Sequence, residues 1–446
     1  MKFTNLKKTS IWNALSSLGR DIETPQGIFY WSSRAKTEAE IDGTIGIAQD
    51  DDGVISHLKS AETWAGKNVM DRLPKAKIFS YAPIQGLESL RKKWLKKLLK
   101  EHPSLGQHAT MPVVTNGITH ALDLAGRLLM NKGETIVTAD KSWENYEHIF
   151  SDLQGINLEF FELFTKTGEF NVNSIIETCR KVAAKQSKVV LLLNFPHNQT
   201  GFMPSSADFE KLAKGLRELC ESLPKISFVV ILDDAYEGYV YDDKGQKLSP
   251  ASKLFITKPN FTLCKMDGIS KALLAYGYRV AFITFFVNST DGIPFVEADL
   301  KAVSAEICDK IGAIIRGEIS QVNHHGQVLA DALLDDWETV ESERGRVIGM
   351  LKERWNVMMK ATEECYEKFG KEKIWVSPCN GGFFGYFNVA KGIDPKKIAD
   401  RLLREKKVGV VPSENGMRVA FCAVAKEKIP RMMESIFEVA NNISSA

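Results

Sequence analysis

Long apolar runs are missing from this sequence. The nearest, Val280 to Val287, has eight residues with Thr284 inside it, well short of the roughly 20 apolar residues that cross a bilayer. Charge of one sign is missing too. Lys and Arg number 58 against 56 Asp and Glu, a net charge of +2, so neither a basic face nor a nucleic-acid partner is expected. The seven cysteines, at 179, 220, 264, 308, 365, 379 and 422, are odd in number and contain no CxxC pair. That argues against a disulfide framework and a zinc site, and suits a reducing cytoplasm. His57, His102, His108, His120, His148, His324 and His325 show no i, i+4 or Cys-associated ligand spacing, so no metal is expected. Repeats and low-complexity linkers are absent. The opening MKFTNLKKTSIWNALSSLGR has early lysines, but Asn13 and two serines break its apolar part and no small-residue cleavage site follows. It reads as an arm or short helix of the mature chain.

What is present is an alternation of elements. With 446 residues, 44% of them hydrophobic, the chain can build a large core and two domains. GLESLRKKWLKKLLKEH (86–102) sets Leu87, Leu90, Trp94, Leu95, Leu98 and Leu99 on one helical stripe. Short apolar runs follow, each ending in a turn or helix signal: MPVVTNG, ETIVTAD, KVVLLLNFPHNQTG, FVVILDDAYEG and RVAFITFFV. β-Branched runs without polar alternation indicate strands covered on both faces, hence a mainly parallel sheet between helices. After about residue 326 a long charged helix is expected, then two short strands in GGFFGYFNV and GMRVAFCAV, then a last helix from Lys426. The expected division is an N-terminal arm and part of a small domain over 1–58, a large domain over 59–326 and a C-terminal small α+β domain over 327–446.

Between Gly268 and Thr290 only Lys271 and Arg279 are charged, in a run otherwise rich in Ile, Leu, Ala, Tyr, Phe and Val. Buried Lys and Arg require a negative or covalent partner. In open α/β sheets the polar residues just after the strands form the site: here Asp233, Asn194, His197, Asn198, Thr115, Asn116, Gly117 and Trp143. No G-x-G-x-x-G follows a strand, which disfavours a dinucleotide fold. A lysine in an apolar site, an acid, a helix start and a separate arginine suit an aldehyde cofactor with a phosphate tail, pyridoxal 5'-phosphate. Lys271 would hold it as a Schiff base. Arg279 and the N–H groups at Gly117, Ile118 and Thr119 would take the phosphate. Asp233 would keep the pyridine nitrogen protonated, Tyr236 and Asn198 would bond the phenolic oxygen, and Trp143 would stack on the ring.

These motifs, in this order and over nearly the whole chain, resemble the class I aminotransferases of the aspartate and aromatic amino acid type, within the fold type I pyridoxal phosphate enzymes. The resemblance implies a seven-stranded sheet and a homodimer with shared active sites. IDGTIGIAQDDDG is similar to the family's first small-domain strand with Gly46 near the substrate. YAPIQGLESL matches the motif whose tyrosine, Tyr81, reaches the phosphate in the neighbouring subunit. KSWENYEHIF carries the stacking Trp143, HNQTG the turn with Asn198, and DDAYEGY the pair Asp233 and Tyr236. SKALLAYGYR keeps the family's step from Lys271 to Arg279, with Ser270 as a phosphate contact. MRVAF puts Arg418 where the family grips the substrate α-carboxylate. Arg316 in IIRGEIS resembles the arginine that binds a distal carboxylate from the partner subunit. Three positions depart from the pattern. Gln199 replaces a proline that follows a cis peptide, Gly268 a phosphate-binding serine, and SQVNHHG (320–326) an Asn-Pro-Pro run.

Each residue also has a plainer reading. Lys271 alone would be a snorkelling surface lysine; Asp233 a helix cap, with Asp234 competing for its role; Trp143 a core residue; Arg418 a salt-bridging residue; and Arg316 the surface partner of Glu318. His197 reads as a supporting histidine outside the chemistry. The combined set is expected to transfer the amino group of a dicarboxylic or aromatic L-amino acid to a 2-oxo acid such as 2-oxoglutarate. The rival activities on the same scaffold are β-lyase, decarboxylase or synthase chemistry. A non-catalytic regulator binding pyridoxal phosphate and a dead structural subunit are the rivals from other classes.

Overall fold

A computed structural model describes residues 8, 10–22, 27–65 and 79–443. Its strands run in chain order from β1 (Ile41–Asp42) through β2 (Val113–Thr115), β3 (Thr135–Ala139), β4 (Asn157–Phe161), β5 (Lys188–Asn194) and β6 (Ser227–Asp233). β7 (Phe261–Gly268), β8 (Ala281–Phe286), β9 (Ile374–Val376), β10 (Phe384–Val389), β11 (Val408–Gly409), β12 (Val411–Pro412) and β13 (Gly416–Ala420) complete the set.

Seven of them form one sheet in the order β2-β8-β7-β6-β5-β3-β4. β4, β3, β5, β6 and β7 are mutually parallel, while β8 runs antiparallel to both β7 and β2. Alternate residues of a strand face opposite sides, and here both sides are covered. Leu191, Leu193, Val230 and Leu232 share a core with Ile175, Phe209 and Leu212. Val190, Leu192, Val229 and Ile231 share another with Leu122, Ala125, Ile311 and Ile315. The register brings Thr115, Ala281 and Gly268 into one row, with Asp233 opposite Met266 and Asn194 opposite Asp233. Thus the residues that follow β2, β5, β6 and β7 and those that precede β8 meet along one edge of the sheet.

The second sheet has the order β12-β13-β10-β9. Its core includes Met358 and Cys365 from the Trp337–Phe369 helix and Met432 and Ile436 from the Ile429–Asn441 helix. β1 pairs in parallel with β11, tying the N-terminal segment to this part of the chain. Among the described residues no helix is long and apolar enough to cross a membrane.

Four details differ from the sequence reading. The long charged helix is broken: His324–Leu333 and Trp337–Phe369 are separate helices joined by the 3-10 turn Leu334–Asp336. Asp336 starts the second by accepting from the Thr339 N–H at 3.2 Å. The stretch from residue 41 to 53 contributes only the two-residue β1. β4 lies at an exposed sheet edge. β7 is a central strand although it contains Lys265 and Asp267. The Lys265 ammonium, 1% exposed, sits 2.7 Å from Asp234, 2.8 Å from Glu237 and 3.0 Å from Asp267, which uses all three of its donors. An ion set so complete makes a charged residue tolerable in a central strand.

Gly268 shows why the family's serine is missing there. A Cβ at Gly268 would stand 2.6 Å from Ala281 Cβ, 2.8 Å from Ala281 Cα and 2.9 Å from the Val280 carbonyl oxygen. Gly268→Ser is therefore expected to cost about 1–3 kcal/mol through overpacking, read by urea denaturation. Adding Ala281→Gly should restore only part of it, because the Val280 carbonyl remains; a Gly268→Ser chain as stable as the parent would contradict this.

Candidate active site

β7 ends at Gly268 and leads at once into a single helical turn, Ile269–Ala272, that carries Lys271. The Tyr239 hydroxyl donates to the Lys271 carbonyl at 2.7 Å and holds that turn. The chain then reverses into β8 through two left-handed residues, Leu274 (φ 52°) and Arg279 (φ 54°), uncommon for side chains of this size. The reversal presses the Arg279 guanidinium against the start of the Ile118–Leu129 helix. A Cβ on Gly117, itself at φ 80°, would lie 2.1 Å from Arg279 Nη2. The first amides of a helix have no intrahelical acceptor, so a guanidinium packed against them makes a concentrated anion site.

Asp233 closes β6 and is 4% exposed. Its Oδ1 accepts from the Ala235 N–H at 3.2 Å, its Oδ2 from the Tyr146 hydroxyl at 2.6 Å, and its carbonyl from Asn194 Nδ2 at 2.7 Å. Burial raises its pKa, while the Tyr146 bond and the charge of Lys271 oppose that shift. The competitor Asp234 faces another way, bound by Lys265 and by Ser249 Oγ at 2.7 Å. Burial lowers the Lys271 pKa to about 8; Asp233 opposes this, and Arg279 and Arg418 add to it. At neutral pH a useful fraction of this amine is unprotonated, which an ordinary surface lysine does not offer.

A third group comes from β13 and the loop after β5. Arg418, 4% exposed, donates from Nη1 to Asn198 Oδ1 at 3.2 Å and lies 4.2 Å from the centre of the Phe384 ring. Its Nε is buried and has no hydrogen-bond partner among the described residues. Asn198 Nδ2 donates to the Tyr236 hydroxyl at 3.4 Å, and the Tyr236 ring centre is 5.1 Å from Lys271 Nζ. Gly46 stands where a Cβ would come 2.9 Å from Phe384. Together these residues line one cleft of about 830 Å³, counting the part open to solvent, that also holds Ile28, Ile118, Thr119, Trp143, Ser270 and Arg279.

Three expected residues are not in its lining: Gly117, whose N–H already donates to the Thr115 carbonyl at 2.9 Å, Tyr81 and Arg316. Tyr81 is 86% exposed. Arg316 is at the end of the Glu297–Glu318 helix and bonds its own neighbour Ser320. Its suggested surface partner Glu318 is engaged elsewhere, by His120 at 3.0 Å and Arg127 at 2.6 Å. His197 is buried against Thr200 at 3.1 Å, with a pKa pushed down to about 3 by burial. The cis peptide precedes Pro196 rather than Gln199. Tyr146 was missed by the sequence reading. The only signal for it was its position one helical turn after Trp143, whose ring it meets edge-on at 5.6 Å.

The donor set fits pyridoxal 5'-phosphate: an amine that can lose its proton, an arginine packed against a side-chain-free helix start, a buried acid, and an arginine with an unused buried donor. The family described as aminotransferase class I and II matches residues 56–436. A mitochondrial aspartate aminotransferase of Schizosaccharomyces pombe is 23% identical over 406 residues, covering 89% of this chain and 84% of that protein. An aminotransferase structure from Anaerococcus prevotii superposes with a TM-score of 0.80 at 23% identity, covering 96% of this chain and 99% of the other. A kynurenine aminotransferase structure from Pyrococcus horikoshii does so with a TM-score of 0.78 at 20% identity, covering 97% and 98%.

Tyr146→Phe removes one donor from a buried carboxylate and is expected to cost about 2 kcal/mol at neutral pH. Because the Asp233 pKa is raised above 3.8 in the folded chain, its ionised form is the costly one, and the Tyr146 bond relieves that cost most while Asp233 is ionised. The loss should therefore shrink as pH falls through the range in which Asp233 takes up its proton. Urea titrations of both chains across that range measure it; a loss independent of pH would show that the hydroxyl does not act through Asp233.

Proposed function

Because the chain belongs to the class I and II aminotransferases, which use pyridoxal 5'-phosphate to move amino groups from amino acids to 2-oxo acids, we propose that the cleft at the carboxyl edge of the large sheet performs this transfer. The observation that carries this is the convergence of Lys271, Asp233, Arg279 and Arg418 on that one cleft. When bound, the cofactor supplies an electron-withdrawing ring that makes the substrate Cα–H acidic.

The remaining chemistry belongs to the chain's own residues. Arg279, the Ser270 hydroxyl and the amides of Ile118 and Thr119 would bind the phosphate, while the Gly117 amide is engaged by the Thr115 carbonyl. Asp233, held in orientation by Tyr146 and Ala235, would keep a proton on the ring nitrogen. Tyr236 and Asn198 would bind the phenolic oxygen, and Trp143 would pack on the ring. Lys271 would hold the aldehyde carbon and, once freed, would serve as the base for the Cα proton. Arg418 grips the α-carboxylate, so that the Cα–H bond and not another is aligned for cleavage.

Ile28, Ile118, Trp143 and Phe384 give the cleft an apolar wall, which favours large apolar or aromatic amino donors. A dicarboxylic donor is the second reading. It depends on Arg316, which bonds Ser320 within its own chain and would reach a cleft only across a subunit interface. The exposed Tyr81 supports such a homodimer with shared sites. Seven free cysteines, all buried, support a cytoplasmic setting. We take the domains to be an N-terminal arm and part of the small domain over 1–58, a large domain over 59–326 and a C-terminal small domain over 327–446.

Lys271→Ala is expected to lose absorbance near the visible edge and to slow amino transfer by about three orders of magnitude. Keto acid formed from phenylalanine only when a 2-oxo acid is present separates transfer from lyase or decarboxylase chemistry. The neutral Lys271 amine is the reactive form and its pKa lies at about 8. Cofactor uptake by the stripped protein should therefore accelerate about tenfold per pH unit below that point and level off above it. A rate still rising at pH 10 would place the reactive amine elsewhere.

A further inference from the structure

Next to the residues that line the cleft stands an acid that none of these roles uses. Glu144 follows Trp143, and its side chain crosses to the start of the Gly27–Glu38 helix, where Oε1 accepts the Ile28 N–H at 3.0 Å. Its Oε2 lies 1.8 Å from where a Cβ on Gly27 would be. Only glycine at 27 lets the carboxylate come so close. The negative charge of Glu144 also acts on Arg418. Trp143, Ile28 and Arg418 all line the cleft; Glu144 follows the first in the chain, accepts the backbone N–H of the second and acts electrostatically on the third. The helix start accounts for its hydrogen bonding.

We propose that Glu144 is a specificity-determining residue whose carboxylate turns away substrates with a second carboxylate and leaves large neutral amino acids as the preferred donors. This rests on the reading that Arg418 holds the α-carboxylate. With that end fixed, the side chain must lie along Ile28, Trp143 and Phe384. A second carboxylate there loses water against apolar walls and meets a like charge, whereas an aromatic ring meets neither cost. Discrimination through a repulsive group is an ordinary route to specificity. The same charge acts on 2-oxo acids, so 2-oxoglutarate is disfavoured relative to an aromatic 2-oxo acid.

Glu144→Gln separates charge from structure, because the amide oxygen still accepts the Ile28 N–H. Single-turnover mixing of the cofactor-loaded protein with aspartate or phenylalanine, followed by absorbance, needs no acceptor. The aspartate-to-phenylalanine ratio of kcat/KM should rise about tenfold in Glu144→Gln. A ratio within about twofold of the parent would overturn the proposal. So would Glu144→Ala and Glu144→Gln slowing both donors equally, since Glu144 would then only hold the helix. Competition on the unaltered protein gives an independent check: 3-phenylpropionate should inhibit more tightly than succinate, and the reverse order contradicts the proposal. If the loaded parent transfers from neither donor, the reading of the cleft fails and this one falls with it.

Discussion

Taking the Lys271 amine out of water is the constraint around which the rest is arranged. An isolated buried ammonium is costly. Here it sits beside one acid, Asp233, and within the field of two arginines, Arg279 and Arg418. The acid keeps the position tenable. The arginines and the desolvation pull the pKa down, so that the nitrogen can act as a base and as a nucleophile near neutral pH. Remove the acid and the lysine becomes an unpaired buried charge; remove the arginines and burial still holds its pKa down, though less far.

The sheet makes that balance reproducible. Because Gly268 pairs with Ala281 and Asp233 with Met266, the lysine turn, the arginine reversal and the acid all start from hydrogen-bonded strand ends. Behind them, Lys265 holds Asp234, Glu237 and Asp267, which keeps those acids away from the lysine of the cleft. Gly117 and Gly46 act by absence. Each omits a side chain where another group, Arg279 or Phe384, must come close.

Much of this was legible beforehand, for reasons that differ by element. β2, β3, β5, β6 and β8 announce themselves because strands covered on both faces need unbroken apolar runs. β7 was hidden because Lys265 and Asp267 interrupt its run; they pair with each other, with Asp234 and Glu237 just after β6, and with the Trp94 indole. β4 was hidden because an exposed edge strand needs little apolar surface. Lys271, Arg279 and Asp233 could be found by their spacing after strands. Tyr146 could not, since no local pattern tells that its hydroxyl meets an acid 87 residues on. Glu144 was equally silent, because its partner Ile28 is 116 residues away. Long-range polar contacts set by tertiary packing leave no period in the sequence.

The most direct test asks where the cofactor is attached. Borohydride reduction of the loaded protein would fix the aldehyde carbon of the cofactor to the amine holding it, and peptide mass spectrometry would locate the added group. The account predicts one modification per chain, on Lys271. A group found on any other lysine, or none on a chain that binds the cofactor, would contradict it.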